Sequence, residues 1–320
     1  MAGGCKDARD LSAGEERPMA HAKTSGNGRP SSIPGSPTEP APRWMQVLFA
    51  ATAVLITITL ALGSTVCATD ASASCPNWPG CYVGKLTPSA HTQPVVEFIH
   101  RVISSSIGLF AVASVLAGVA HRRRNRALVV LPVIALLGAL TSGVFGMMTI
   151  KWGINSVEAS LDLLAALIAM GAMWRGWFVT RHPAAGWTWR PRVRWGVAAV
   201  VTLMAAHAGA VLVAGSSSLT RCMGWALFVR GVGDASLAGW AVQQAVMAVG
   251  ELLTIGLVVM RLRHRVNLWD LLLAALVVVV LVVGVVIAAA GANDGLAVVH
   301  AVGTVLILNL VMTGTMRDAV

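Results

Sequence analysis

Two ionisable side chains stand near the start of a long apolar stretch of this sequence. Glu97 and His100 lie in the run 95–120, which continues as VISSSIGLFAVASVLAGVA after Arg101. Their spacing of three residues puts both side chains on one face of a helix, about one turn apart. An imidazole can hold iron, and a neighbouring carboxylate can transfer protons. Because such groups are costly inside a bilayer, they predict a functional site there.

A Trp- and Pro-rich loop precedes this pair. It contains Cys75 and Cys81, with five residues between them. If the loop faces an oxidising compartment, this arrangement predicts a disulfide between the two cysteines. Cys67 lies close by in the sequence and is an alternative partner. The corresponding loop of the second half of the chain holds only Cys222.

The composition is that of a membrane protein. Of the 320 residues, 56% are hydrophobic and 12% are charged,. The net charge of +10 would suggest nucleic acid as the partner of a soluble protein,. Here the basic residues lie in short runs between apolar segments, so we predict a contact with membrane lipid and none with nucleic acid.

The apolar segments predict an all-α integral membrane protein with eight transmembrane helices. Each segment has the ~20 residues that a bilayer requires. The predicted spans are 44–66, 95–120, 127–149, 156–177, 195–217, 237–260, 269–291 and 295–316.

The distribution of Lys and Arg predicts the orientation of these spans. With a cytoplasmic N-terminus, 19 basic residues lie on the inner side and four lie outside. This bias predicts a multi-pass protein of the bacterial plasma membrane with both termini cytoplasmic. Residues 1–43 combine Gly, Pro, Ser and Ala with mixed charges and contain no apolar run. They are predicted to form a disordered cytoplasmic tail.

The eight spans resemble two copies of four. Three short motifs recur in order: CPNW at 75–78 and CMGW at 222–225, EFIHR at 97–101 and WAVQQ at 240–244, GINSVEASLD at 153–162 and GANDGLAVVH at 291–300. Because each copy contains an even number of spans, both copies have the same orientation and form a parallel repeat.

The repeat predicts two four-helix bundles. The N-terminal bundle comprises residues 44–177 and the C-terminal bundle residues 195–316, with a basic cytoplasmic loop at 178–194 between them. In this organisation each bundle can enclose one ligand between its helices.

The repeat alignment predicts four equivalent positions, one in each even-numbered span. They are His100, Asp162, Gln243 and His300. Each lies about five to seven residues inside its helix, which is roughly 7–10 Å deep. Two facing helices with one imidazole each at this depth would hold a haem between them. The alternative is that each histidine hydrogen-bonds a neighbouring group and binds no iron.

Two other polar residues lie deep within the predicted spans. His207 lies in the middle of the fifth span and is predicted to be a packed histidine, with a substitute iron ligand as the alternative. Glu251 lies at a similar depth in the sixth span, and the pattern assigns no role to it.

These motifs resemble those of the haem A synthase family. Its first outer loop carries Cys-Pro-x-Trp-Pro…Cys, and its second helix carries Glu-x-x-His-Arg. The matching residues are Cys75, Pro76, Trp78, Pro79, Cys81, Glu97, His100 and Arg101. The likeness covers about residues 44–316. It implies a membrane oxidoreductase that converts the C8 methyl of haem O to a formyl group, giving haem A for cytochrome oxidase.

The resemblance also implies the roles of individual residues. In the family the N-terminal half holds the substrate haem O, so Glu97 takes the catalytic role and His100 the role of iron ligand. The C-terminal half holds a haem b cofactor, with His300 as its ligand. The chain departs from the family at Asp162 and Gln243, where the family has histidines, and neither side chain normally replaces an imidazole as a strong axial ligand.

Three functions remain to be distinguished. The sequence favours the haem A synthase-like enzyme, whose implied partners are haem O synthase and terminal oxidase assembly factors, and a homo-oligomer is left open. The alternative is a non-catalytic haem-binding or oxidase-assembly paralogue on the same scaffold. A small-molecule transporter is disfavoured, because the polar residues cluster at one depth and trace no path across the membrane.

Overall fold

The computed structural model describes residues 39–72, 74–213, 236–264 and 266–320. Within these ranges the regular structure is helical, apart from one isolated bridge between Tyr82 and Lys85. Eight helices form in the described residues, and each is long and apolar enough to cross a membrane. The helices are α1 (Arg43–Ala68), α2 (Thr92–Ala120), α3 (Ala127–Lys151), α4 (Ser156–Arg181), α5 (Pro191–Val213), α6 (Leu237–Leu262), α7 (Leu268–Ala290) and α8 (Asp294–Ala319). The predicted all-α membrane fold is confirmed.

The helices differ from the predicted spans mainly at their ends. α2 begins at Thr92, three residues earlier than predicted, and α5 begins at Pro191, four residues earlier. Proline suits the first turn of a helix, because its fixed φ is helical and its missing N–H is not needed there. α4 continues to Arg181, so the loop predicted at 178–194 is shortened to residues 182–190. Residues 1–38 of the predicted tail and 214–217 of the predicted fifth span lie outside the described residues.

The same short turn leads into α4 and into α8. Asn155 caps α4 by accepting the N–H groups of Val157 and Glu158, and Asn293 caps α8 by accepting the N–H of Leu296. Two residues before each cap stands a glycine in the left-handed region, with φ of 72° at position 153 and 87° at position 291,. These turns lie at positions that the sequence alignment makes equivalent, although the repeat itself remains a prediction.

Each half of the chain closes into a ring of four helices. α1 contacts α2 and α4, and α3 contacts the same two helices, so that α2 and α4 face each other across the first ring. In the second half α5 contacts α6 and α8, and α7 contacts the same two. The halves meet through contacts of α1 with α8 and of α4 with α5. The ring geometry therefore puts residues of α2 and α4 on opposite walls of one enclosed space.

Candidate functional site

The first four helices surround a cavity of about 430 Å³. Glu97 and His100 of α2 line it together with Asp162 of α4, and Trp78 of the preceding loop also contributes to its wall. The volume lies within the range of roughly 300–1,000 Å³ that is usual for small-molecule sites. The structure thus brings three of the predicted site residues together in one space.

His100 lies against α1 at a glycine. A Cβ atom at Gly63 would lie 3.2 Å from Nε2 of His100, so a side chain there would crowd the imidazole. His100 follows Thr92 by eight residues, about 12 Å along the helix axis, and is therefore deeper than the five to seven residues predicted,. The earlier start of α2 explains this difference. The other three equivalent residues each lie six residues after the first residue of their helices.

Glu97 has both carboxylate oxygens engaged. Oε2 accepts the backbone N–H of Cys75 at 2.8 Å and the hydroxyl of Ser74 at 2.9 Å. Oε1 forms a hydrogen-bonded ion pair with Arg101. The side chain is buried. The residue predicted to be catalytic therefore also fastens the outer loop to α2.

Arg101 completes this attachment, a role that sequence reasoning did not assign to it. Its Nη1 donates to the carbonyl oxygens of Asn77 at 2.6 Å and Gly80 at 3.2 Å, and its Nη2 donates to that of Cys75 at 2.6 Å. Two signals pointed to this role. Arg101 is four residues after Glu97, a spacing that favours an ion pair on a helix, and an irregular loop needs donors for its carbonyl groups.

The predicted disulfide is present in this loop. Cys75 and Cys81 are bonded to each other and buried. Cys67, the alternative partner, is itself in a disulfide and lines the cavity. It therefore does not compete for either cysteine. Cys222 of the second loop lies outside the described residues.

Asp162 lies on the cavity wall opposite α2. Its carboxylate accepts a hydrogen bond from the hydroxyl of Ser142 on α3, which also lines the cavity. The cavity therefore presents one imidazole and, from the opposite helix, a carboxylate oriented by a hydroxyl group. Within the described part of the chain no three His, Cys, Asp or Glu side chains come together as a metal site. A haem needs only one or two protein ligands, and His100 is the group here that can provide one.

The two predicted positions of the second half have different surroundings. Gln243 is buried, and its Nε2 donates to the carbonyl oxygen of Ala206 on α5 at 2.6 Å. Its Oε1 lies beside α5, where a Cβ at Gly209 would come within 2.5 Å. His300 is also buried, on α8. Because its amide is committed to α5, Gln243 does not fit the role of an iron ligand.

Comparison with known proteins shows a partial similarity to an enzyme whose name refers to protoheme. No family model matches this sequence. Over 102 residues the chain is 32% identical to a protoheme IX farnesyltransferase from Haloarcula marismortui, and this match covers 30% of the chain and 22% of the relative. The chain therefore spans less than a quarter of that protein. By its name, the relative acts on protoheme IX.

Proposed function

We propose that this chain is a haem A synthase-like membrane oxidoreductase whose substrate, haem O, occupies the cavity of α1–α4. The observation that carries the proposal is the cavity of about 430 Å³ with Glu97, His100 and Asp162 on its walls. The partial similarity to a protein that acts on protoheme supports a haem substrate. In the proposed reaction dioxygen oxidises the C8 methyl group of haem O to a formyl group, and one molecule of water is released.

The cavity has features that suit a porphyrin. Ile56, Leu60, Leu163 and Ala166 provide apolar wall for the macrocycle, and Gly63 leaves room for the imidazole of His100. Under the proposal, His100 holds the iron of the substrate. The bound haem supplies the iron centre at which oxygen chemistry takes place.

Glu97 would serve this site in two ways. By binding the loop at Ser74 and Cys75, it keeps the loop residue Trp78 at the cavity wall. It is also the carboxylate closest in sequence to the proposed iron ligand and lines the same cavity, where a carboxylate can exchange a proton with a bound substrate,. The engaged oxygens make it an oriented carboxylate rather than a mobile one.

One residue of the second half, Gln243, does not fit the haem b cofactor that the family resemblance implies. The Nε2 atom of Gln243 donates to the carbonyl oxygen of Ala206 on α5. We therefore assign no step of the reaction to a second haem. The role of His300 as a ligand stays a prediction.

A second candidate is a non-catalytic haem-binding or oxidase-assembly protein. Two observations favour it: the carboxylate of Glu97 is fully used in holding the loop, and Asp162 stands where the family has a histidine. Conversion of haem O distinguishes the two candidates, because only the enzyme gives a formyl product.

The experiment is incubation of the purified full-length protein with haem O under aerobic reducing conditions, followed by extraction and identification of the haem. The parent is expected to bind haem O and to form haem A. His100→Ala should lose bound haem. Glu97→Gln should keep it, since the glutamine carbonyl can still accept from the loop, while its conversion falls by about 100-fold or more.

Glu158→Gln is the matched control, because Glu158 belongs to the capping box of α4 and does not line the cavity. Equal formyl yields from Glu97→Gln and the parent would remove Glu97 from the mechanism. Binding of haem O without conversion by the parent supports the second candidate. A parent that binds no haem refutes both.

A further inference from the structure

The four helices of the second half meet around a small cavity of about 30 Å³. Its polar wall consists of His207 on α5, Glu251 and Thr254 on α6, and Thr304 on α8, and its remaining lining residues are apolar. A space of this size holds about one water molecule, provided that two to four polar partners surround it. The cavity is large enough for one water molecule, and four polar side chains are among the residues that line it.

His207 presents a hydrogen-bond acceptor to this space. The side chain is 5% exposed, and its Nδ1 lies 2.7 Å from the carbonyl oxygen of Leu203. A carbonyl oxygen can only accept, so Nδ1 carries the proton and Nε2 carries a lone pair. Nε2 is buried and has no hydrogen-bond partner among the described residues. A buried acceptor without a partner costs free energy, so we expect a hydrogen-bond donor to bind beside Nε2.

The two threonines present further acceptors. The hydroxyl of Thr254 donates to the carbonyl of Gly250 at 2.8 Å, and that of Thr304 donates to the carbonyl of Ala301 at 2.9 Å. Their protons are therefore used, and only their lone pairs remain for the cavity. Three residues of the lining thus offer acceptors, and among the described lining residues Glu251 has the side chain that can supply a proton.

We propose that this cavity binds one water molecule that joins a protonated Glu251 to His207, and that the pair stores one exchangeable proton inside the membrane. The Glu251 O–H donates to the water, and the water donates to Nε2 of His207 and to the hydroxyl oxygen of Thr304. Each polar group of the wall then has a partner. The neutral form is favoured because an unpaired charge is costly in hydrocarbon.

Transfer of the stored proton needs no other reactant. The O–H bond of Glu251 breaks as one forms on the water, and a water O–H bond breaks as an N–H bond forms at Nε2. One proton moves, and the products are a carboxylate and an imidazolium ion. Glu251 and His207 are the titratable groups among the residues that line the cavity, which belong to all four surrounding helices.

The test is infrared spectroscopy of the purified full-length, haem-free protein in H₂O and D₂O. The parent should show a C=O stretching band of a protonated carboxylic acid that shifts in D₂O. Glu251→Gln should remove this band. His207→Leu and Thr304→Val should each shift it, because each removes one acceptor from the network. Valine has nearly the same shape as threonine, so Thr304→Val should fold. The band shift can therefore be measured in this variant even if His207→Leu fails to fold.

Asp162→Asn is the matched control, since it removes a membrane carboxyl group of the other cavity and should leave the Glu251 band in place. Three results would each overturn the proposal: a band that survives Glu251→Gln, a band at the same position in the parent and in Thr304→Val, or a band that does not shift in D₂O. Because the protein is haem-free, none of these results bears on the proposed conversion of haem O.

Discussion

At the scale of single residues, His100 and Asp162 are the two side chains that would face an iron centre from opposite walls of the larger cavity. The two lie on helices that face each other across the first ring, and both line the same space. Asp162 is oriented by Ser142, and a carboxylate is a weaker ligand for haem iron than an imidazole,. A haem held by His100 would therefore keep one axial position open, which is what oxygen chemistry requires.

Asp162→His is expected to close that position. The new imidazole on α4 would face His100, and the bound haem should change from a high-spin form that binds carbon monoxide to a low-spin bis-histidine form that does not. The measurement is the visible spectrum of the reduced protein with and without carbon monoxide. Asp162→Asn keeps an acceptor for Ser142 and should stay high-spin. An unchanged spectrum in Asp162→His would mean that the two residues are not axial to one haem.

At the scale of elements, α4 depends on the turn that starts it. Asn155 accepts two N–H groups, and the carboxylate of Glu158 accepts the N–H of Asn155 in return, which completes a capping box,. Asn293 serves α8 in the same way with a single hydrogen bond. The first turn of α4 supports Asp162 one turn later, so the cap also positions a wall of the cavity.

Asn155→Ala should lower the free energy of unfolding by about 1 kcal/mol, the usual cost of losing an N-cap. Asn155→Asp should retain most of the stability, because aspartate caps equally well. Thermal unfolding of the two variants in the same detergent measures the difference. Asn293→Ala should cost no more than this, because Asn293 accepts a single N–H group. Equal stability of Asn155→Ala and the parent would show that this cap contributes nothing.

At the scale of the whole molecule, a buried polar contact ties the two halves together. The hydroxyl oxygen of Thr57 on α1 accepts from Nδ2 of Asn309 on α8 at 2.9 Å and from Nε1 of Trp174 on α4 at 3.3 Å. Thr57 itself donates to the carbonyl of Ala53 at 2.9 Å. Lipid offers no hydrogen bonds, so the two N–H donors of Asn309 and Trp174 both depend on the Thr57 oxygen,. The contact therefore favours one arrangement of α1, α4 and α8.

Thr57→Val should destabilise the protein by about 1–2 kcal/mol, because it leaves two donors without their acceptor. Thr65→Val is the control: the hydroxyl of Thr65 donates to the carbonyl oxygen of Ala61 within the same helix and forms no hydrogen bond to another helix in the described part of the chain. Unfolding of both variants in detergent compares the two costs. If Thr57→Val lowers the free energy of unfolding no more than Thr65→Val does, apolar packing alone holds the two halves together.

Several features of the fold and the site could be predicted from the sequence, because they depend on neighbours along the chain. The length and hydropathy of each apolar run predict a membrane helix, whatever its partners are. The three-residue spacing of Glu97 and His100 puts them on one face of α2. Cys75 and Cys81, in the loop before this helix, form the predicted disulfide. Orientation in the membrane and the repeat are also sequence predictions, and they remain so.

Other features required the tertiary structure, because they depend on how distant helices meet. The carboxylate of Glu97 binds a loop more than twenty residues away, and the amide of Gln243 binds the backbone of α5. The same lateral packing leaves about 430 Å³ between α1–α4 and about 30 Å³ around His207 and Glu251. Side-chain volumes summed over four helices set the size of a cavity, and no single stretch of sequence contains that sum.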